Sequence, residues 1–172
     1  MHAYHVKMVD QIDTADNSSN DDVRAIDTHS SKSAEAALRL AIEQFYFGYR
    51  AFTSLPDRIL DQRGLGRVHH RILYFVGRNP QISVNALLSI LNVSKQALNA
   101  PLRQLIALRL VVIDTAEHDR RVRQLSLSSI GQQLEAQLTG TQMKQLQTVF
   151  EEVGASAEAG WHQVMNSLSR KD

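Results

Sequence analysis

The sequence predicts a mainly α-helical fold that carries one small β-hairpin, and three observations support this prediction. Apolar residues recur at helical spacing over about residues 34–53 and again over 130–168. Between them, a polar turn at 92–94 separates two shorter helical patterns, and residues 122–127 alternate between polar and apolar side chains. A period of about 3.6 residues indicates a helix, and a period of about 2 indicates a strand. The expected order is three helices, a turn, a fourth helix, the hairpin and two final helices.

Composition narrows the class of protein. The chain has 172 residues, of which 43% are hydrophobic, which is enough for one domain with a sizeable core. It contains no cysteine, which excludes a disulfide scaffold, a thiolate zinc site and a cysteine nucleophile. No apolar run approaches the roughly 18 residues that a membrane span needs, and the first residues lack a signal-peptide pattern. We therefore expect a soluble cytoplasmic protein.

Charge is distributed unevenly along the chain, although the formal net charge is only +1. Residues 1–32 have a net charge of −3 and too few apolar residues to form a face, so we predict a disordered, polar and acidic tail there. Residues 58–123 hold eleven basic and four acidic residues. This cationic middle fits a nucleic-acid partner, although a solvated basic face would have the same composition.

The first helix is predicted from a seam of large apolar side chains spaced three or four residues apart: Leu38, Ile42, Phe45, Tyr49 and Phe52. Such a seam is typical of a helix that packs against a partner. Pro56 is expected to end this helix. A second helix is expected over about 67–77, and Asn79-Pro80 stops it.

The next two helices meet at a three-residue turn. Ser83 is expected to cap a short helix that ends at Leu91, Asn92 favours the left-handed conformation that closes a helix, and Ser94 is expected to cap the next helix at once. One face of that next helix carries Leu98, Leu102 and Leu105, and the opposite face carries Gln96, Asn99, Ala100, Arg103 and Ala107. Glutamine and asparagine pair bidentately with adenine and arginine with guanine, so the outer face suits the major groove of DNA.

A β-hairpin with a basic tip is predicted after Leu110. The apolar run Val111–Ile113 and the alternating residues 122–127 are the expected strands, and the polar stretch 114–121 joins them. Helical periodicity returns at Ile130, continues to Val153 and breaks at Gly154 before a last helix.

Residues 65–131 resemble the MarR-type (multiple antibiotic resistance regulator) family of bacterial transcription factors. The resemblance is carried by the turn Asn92-Val93-Ser94, by Leu110-Val111, and above all by Asp119-Arg120-Arg121, Leu125-Ser126-Leu127 and Gly131. The last group matches the family's wing signature. It implies a winged helix-turn-helix over 64–127, flanked by N- and C-terminal dimerisation helices over 33–57 and 128–172, so that 33–172 forms a single domain.

The resemblance also implies a function. The family's proteins are homodimers whose paired winged helices bind palindromic operators in double-stranded DNA, so we expect a repressor of this kind that a small aromatic or phenolic effector releases. The predicted DNA-binding residues are Ser94, Lys95, Gln96, Asn99, Arg103, His118, Arg120, Arg121 and Arg123. By the family pattern Arg121 enters the minor groove, and Asp119 anchors an arginine side chain of the wing.

The expected effector pocket is lined by Tyr46, Tyr49, His70 and Tyr74, with Trp161 as a further candidate, although aromatic residues at helical spacing also form ordinary core. No cofactor and no metal site are expected. His69 and His70 are neighbours on a helix, point about 100° apart and cannot share one ion in ordinary geometry.

Two residues depart from the family pattern. Arg109 stands where the family usually has glycine at the end of the recognition helix, so either a left-handed cap there costs about 1 kcal/mol more or the helix ends differently. Pro101 lies inside that helix, removes the bond to the Ala97 carbonyl and is expected to bend the helix or open its first turns.

Two other functional classes compete with a DNA-binding regulator. An enzyme needs a nucleophile with a base, or converging carboxylates, and the sequence has no such pattern, so an enzyme is not expected. A winged-helix module that binds protein instead of DNA is the other alternative. It would be favoured if the wing arginines pointed away from the face that carries Gln96 and Arg103.

Overall fold

The computed structural model describes the backbone of residues 18–31 and the complete residues 32–115 and 122–170. The helices are α1 (Ser18–Asp61), α2 (Arg67–Arg78), α3 (Val84–Leu91), α4 (Lys95–Ala107), α5 (Ser129–Val153) and α6 (Ala155–Ser169). The strands are β1 (Ile82–Ser83), β2 (Val111–Thr115) and β3 (Arg123–Leu127). The chain divides into two units, Met1–Phe47 and Gly48–Asp172. The fold is mainly helical with a small antiparallel sheet, as predicted.

In the first unit, the described residues form the N-terminal part of α1. The helix begins at Ser18, whereas the sequence predicted a start near residue 34 and a disordered tail over 1–32. No glycine or proline occurs between residues 18 and 47, so no residue in this stretch stops the helix. Residues 1–17 lie outside the described residues, and the proposed boundary of the domain at residue 33 remains a prediction.

Pro56 does not end α1, contrary to the prediction from sequence. The helix continues to Asp61, and the proline ring is buried. A proline at this position cannot donate to the Phe52 carbonyl, four residues earlier. The side-chain Nε2 of Gln142 on α5 donates to that carbonyl instead, at 3.4 Å. A donor from another helix therefore replaces the missing bond, which sequence reasoning about α1 alone could not foresee.

The core of the second unit lies among the C-terminal end of α1, α2, α3, α4, the sheet and α5. Its largest fully buried side chains are Leu60, Ile72, Leu73, Leu87, Leu98, Leu105, Leu125 and Leu138. The three strands run in the order β1-β3-β2, with Ile82 opposite Leu125 and Ile113 opposite Leu125 on its other side. The predicted hairpin is confirmed. Strand β1 was not predicted, because two residues are too few to show an alternating pattern.

A tight corner joins the end of α4 to the start of α5. Arg109 adopts φ 57°, and the Leu110 N–H donates to the Leu105 carbonyl, so α4 ends in a left-handed cap without glycine. The Ser128 hydroxyl donates to the Arg109 carbonyl at 2.6 Å, and the Ser128 N–H donates to the Leu110 carbonyl at 3.1 Å. A Cβ at Gly131 would collide with the Leu110 carbonyl oxygen. Glycine is therefore required at this contact.

The last two helices are separated by Gly154, at φ 85°, where the sequence predicted a break. None of the residues of α6 is buried, and its large apolar residues Trp161, Val164 and Leu168 are exposed. Among the described residues, no helix is long and apolar enough to cross a membrane.

Candidate nucleic-acid interface

The turn between α3 and α4 has the geometry that the sequence predicted. The Ser83 hydroxyl accepts the Ala86 N–H at 3.1 Å, and the Ser94 hydroxyl accepts the Ala97 N–H at 3.2 Å. Asn92 adopts φ 51° and ψ 47° and closes α3 in the left-handed conformation. The two helices of a helix-turn-helix are thus fixed by two serine caps and one asparagine.

Helix α4 separates a packing face from a polar face. Leu98, Leu102 and Leu105 are buried in the core. The predicted contact residues on or before this helix are all exposed, and they are Ser94, Lys95, Gln96, Asn99 and Arg103. No acidic residue lies between Lys95 and Ala107, so the exposed face offers amide and cationic groups without a competing carboxylate of its own helix. Such a face can pair with base edges and phosphates.

Pro101 lies within α4 and does not end it. The Ala97 carbonyl therefore has no N–H partner four residues later in the helix, since proline lacks that donor. The predicted bend at this residue remains a prediction.

The hairpin forms a wing whose tip lies outside the described residues. Its strands pair from Val111 opposite Leu127 to Thr115 opposite Arg123, and the Arg123 side chain is exposed. His118, Asp119, Arg120 and Arg121 fall within residues 116–121, which the structure does not describe. Their predicted contacts with DNA, and the anchoring role of Asp119, therefore stay predictions.

A hydrogen-bonded pair beside α4 was not predicted from the sequence. The buried His69 of α2 lies 3.0 Å through its Nε2 from the Oε1 of Gln104, on α4. The Gln104 side-chain Nε2 donates to the Gly64 carbonyl at 3.0 Å. The only sequence signal was a glutamine next to Arg103, and nothing local connects it to a histidine 35 residues earlier.

A cavity of about 390 Å³ lies in the second unit, between the C-terminal part of α1, α2 and α5. Three of the four predicted pocket residues line it: Tyr49, His70 and Tyr74. Tyr46 is not among the lining residues and packs edge-on against Phe47, with ring centroids 5.3 Å apart. Trp161 packs instead against Phe150, at 5.5 Å.

The cavity carries both charged and neutral polar groups. The Arg67 guanidinium pairs with the Asp57 carboxylate at 2.7 Å and lies 5.2 Å from the centroid of the Tyr49 ring. The hydrogen bond to Asp57 raises the pKa of Arg67. Burial lowers the pKa of His70, against the opposing charges of Glu135 and Asp57. The buried Nε2 of His70 has no hydrogen-bond partner among the described residues.

Metal ligation has no support in the described part of the chain, where no three histidine, aspartate or glutamate side chains cluster closely enough to hold an ion. His69 and His70 point to different surroundings, the first to Gln104 and the second into the cavity.

Comparison with known proteins identifies the family. A sequence model described as MarR family matches residues 63–122. The HTH-type transcriptional regulator PetP of Rhodobacter capsulatus is 42% identical over 131 residues, which cover 76% of this chain and 79% of PetP. The chain belongs to the MarR family. As a MarR-family protein it is a transcriptional regulator and not an enzyme, as the sequence predicted.

Solved structures share the fold of this MarR-family chain. A MarR family transcription regulator has a TM-score of 0.68 at 20% identity and covers 82% of this chain and 93% of its own. Streptococcus pneumoniae FabT, solved in complex with DNA, has a TM-score of 0.67 at 14% identity, with 76% and 94% covered. NadR, solved in complex with 4-hydroxyphenylacetate, has a TM-score of 0.62 at 18% identity, with 74% and 91% covered. These likenesses establish the winged-helix fold.

Acid should destabilise this MarR-family protein through His70. Its pKa in the folded state lies below the ordinary 6.5, so the unfolded chain binds the proton more readily. The stability that depends on neutral His70 is present above about pH 6.5 and is lost as the pH falls below that value. Urea unfolding at about pH 7.5 and about pH 5 should show a larger drop in the free energy of unfolding for the wild type than for His70→Leu. Equal drops in the two proteins would contradict the role of His70.

Proposed function

We propose that this MarR-family regulator binds a palindromic operator as a homodimer and acts as a repressor. One observation carries the proposal: the buried leucine face of α4 is opposed by an exposed face that presents Gln96, Asn99 and Arg103, directly after a capped helix-turn-helix. In a helix-turn-helix the second helix enters the major groove with its N-terminal residues against the bases. Gln96 and Asn99 occupy that N-terminal half of α4.

The proposed contacts divide into two kinds. Gln96, Asn99 and Arg103 would read base edges, because amide and guanidinium groups match the donor and acceptor patterns of adenine and guanine. Ser94, Lys95 and Arg123 would contact phosphates, as would His118 and Arg120 of the wing tip. Arg121 would enter the minor groove, and Asp119 would anchor an arginine side chain of the wing.

Dimerisation is supported by apolar surface that each unit leaves exposed. In the first unit Leu38, Ile42 and Phe45 are 68%, 70% and 58% exposed. In the second unit the exposed large apolar residues of α5 and α6 include Met143, Val149, Val153, Trp161, Val164 and Leu168. A soluble monomer rarely exposes so many apolar side chains in periodic rows, and a second copy with the same rows is a self-complementary partner. A dimer with two α4 helices about one DNA turn apart would cover its operator and exclude other proteins from it.

The cavity supports the further proposal that a small aromatic or phenolic effector controls binding. Its lining combines apolar and aromatic side chains with a few polar groups, which is typical of ligand sites, and the unpartnered Nε2 of His70 offers a buried polar contact. If such a molecule fills the cavity, 4-hydroxyphenylacetate should weaken the binding of the wild type to its operator more than it weakens the binding of His70→Leu. A titration of labelled duplex with each protein, with and without the compound, measures this difference. Identical responses of the two proteins, or none from any aromatic acid, would contradict an effector site at His70.

The purified protein should be a dimer of twice 19.3 kDa in sedimentation equilibrium. DNA selected by it from a random pool should contain a palindrome that binds two protomers per duplex. Phe45→Glu, within the exposed seam of α1, should shift the mass toward the monomer and lower operator affinity. Ile90→Glu, at an exposed apolar position of α3, is the matched control and should remain dimeric. A monodisperse wild-type monomer at micromolar concentration would defeat the proposal.

Arg103→Ala and Arg121→Ala should weaken binding to the selected operator in different ways. Arg103→Ala should cost about 1–3 kcal/mol and relax the preference at one base position in each half-site, because a direct contact is lost. Arg121→Ala should weaken binding to operator and scrambled duplex alike and flatten the salt dependence, because fewer counterions are released. Titrations at two salt concentrations measure both effects.

Arg170→Ala, an exposed arginine after α6, is the control for loss of one positive charge. If neither Arg103→Ala nor Arg121→Ala changes affinity while the fold and dimer persist, this surface does not bind DNA. The protein-binding module would then be the better interpretation.

A further inference from the structure

We infer that His69 and Gln104 form a clasp that positions α4 for operator recognition, although neither residue touches DNA in the proposed complex. The clasp is the set of three hydrogen bonds that join Gly66, His69, Gln104 and Gly64. This inference rests on the proposed function and names two positioning residues for it.

The hydrogen bonds of the clasp assign the tautomer of His69 and the direction of each bond. The Gly66 N–H donates to Nδ1 of His69 at 3.0 Å, so Nδ1 carries no proton. The proton of the neutral ring then lies on Nε2, which donates to Oε1 of Gln104 at 3.0 Å. This leaves the amide Nε2 of Gln104 to donate to the Gly64 carbonyl at 3.0 Å. Each of the three bonds therefore joins a donor to an acceptor, and the amide oxygen and nitrogen of Gln104 each have one defined role.

The far ends of the clasp are held by a rigid turn. Gly64 adopts φ 63°, and the Gly64 and Leu65 N–H groups donate to the Asp61 and Leu60 carbonyls. These bonds close α1 in the usual left-handed cap, and Leu65 is buried. The Gly64 carbonyl and the Gly66 N–H are thus two fixed backbone groups. The Gln104 side chain of α4 is bonded to the first directly and to the second through His69.

The hydrogen bonds of the clasp fix the rotation of α4 about its axis, which the leucines of α4 do not. Leu98, Leu102 and Leu105 hold the helix in the core, but apolar contact depends on area and tolerates small rotations about the helix axis. Hydrogen bonds weaken steeply when their angle changes. Gln104 follows Arg103 directly and is the position at which a rotation of α4 would break two such bonds. The clasp therefore sets the direction in which Arg103 and Asn99 project.

Two substitutions separate positioning from folding. Gln104→Met keeps the length of an exposed side chain and removes both of its bonds. His69→Gln keeps an acceptor for the Gly66 N–H, because glutamine at the third helical position makes a capping box, but it cannot reproduce the ring's reach to Gln104. Gln133→Met, at an exposed position of α5, is the matched control.

The experiment compares binding to the selected operator and to a scrambled duplex, with thermal unfolding measured alongside. We expect each of the two clasp variants to bind the operator about tenfold more weakly, which matches the net contribution of one or two hydrogen bonds. Binding to scrambled DNA should be unchanged. The double variant should be no weaker than either single one, because the bonds act as a unit. A general loss of fold would reduce both kinds of binding together.

Unchanged operator affinity in folded Gln104→Met would overturn the clasp, as would additive losses in the double variant. Failure of the wild type to select any operator would instead overturn the proposed function, so the two failures are distinguishable.

Discussion

The approach of the Leu110 backbone to the first turn of α5 is the contact on which the arrangement of the second unit depends. The Leu110 carbonyl accepts the Ser128 N–H and lies where any side chain on Gly131 would collide with it. Because Leu110 immediately precedes β2 and Ser128 immediately follows β3, this one point joins α4, both long strands and α5. Arg109 accepts a left-handed conformation to make it possible, at a cost of about 1 kcal/mol relative to glycine. The Ser128 hydroxyl bond to the Arg109 carbonyl offsets part of that cost.

Local chemistry made much of this fold predictable. Ser83 and Ser94 cap helices because a hydroxyl placed before a helix satisfies an N–H that the helix itself cannot, and Asn92 tolerates positive φ better than other residues with side chains. The hairpin was predicted from alternating polar and apolar residues, a pattern that any strand with one buried face shows. Those signals depend on residues within about four positions of one another, so sequence alone is sufficient to detect them.

The features that sequence did not predict depend on distant partners. Pro56 stays inside α1 because Gln142, on α5, supplies a donor to the Phe52 carbonyl. His69 meets Gln104 only after α2 and α4 have packed. In the cavity, Tyr49, His70 and Tyr74 were expected from the resemblance to the MarR-type family, whereas the Arg67–Asp57 pair was not predicted, since it joins two helices across a turn. Tyr46 and Trp161 were expected in the same pocket and pack elsewhere, because a helical pattern gives the face of a helix and not its neighbour.

The separation of the two faces of α4 has a consequence for how such a regulator can diverge. Its buried face is three leucines whose replacement would damage the core, while Gln96, Asn99 and Arg103 are exposed and have little share in stability. Under the proposed function, substitutions at these exposed positions would cost little stability, and duplicated copies of the gene would acquire new target sequences one base at a time. Gln104 is the exception, because it is exposed yet bonded to two other elements. If α4 reads its operator as we propose, target preference is free to drift in this protein, while the angle from which the helix reads is not.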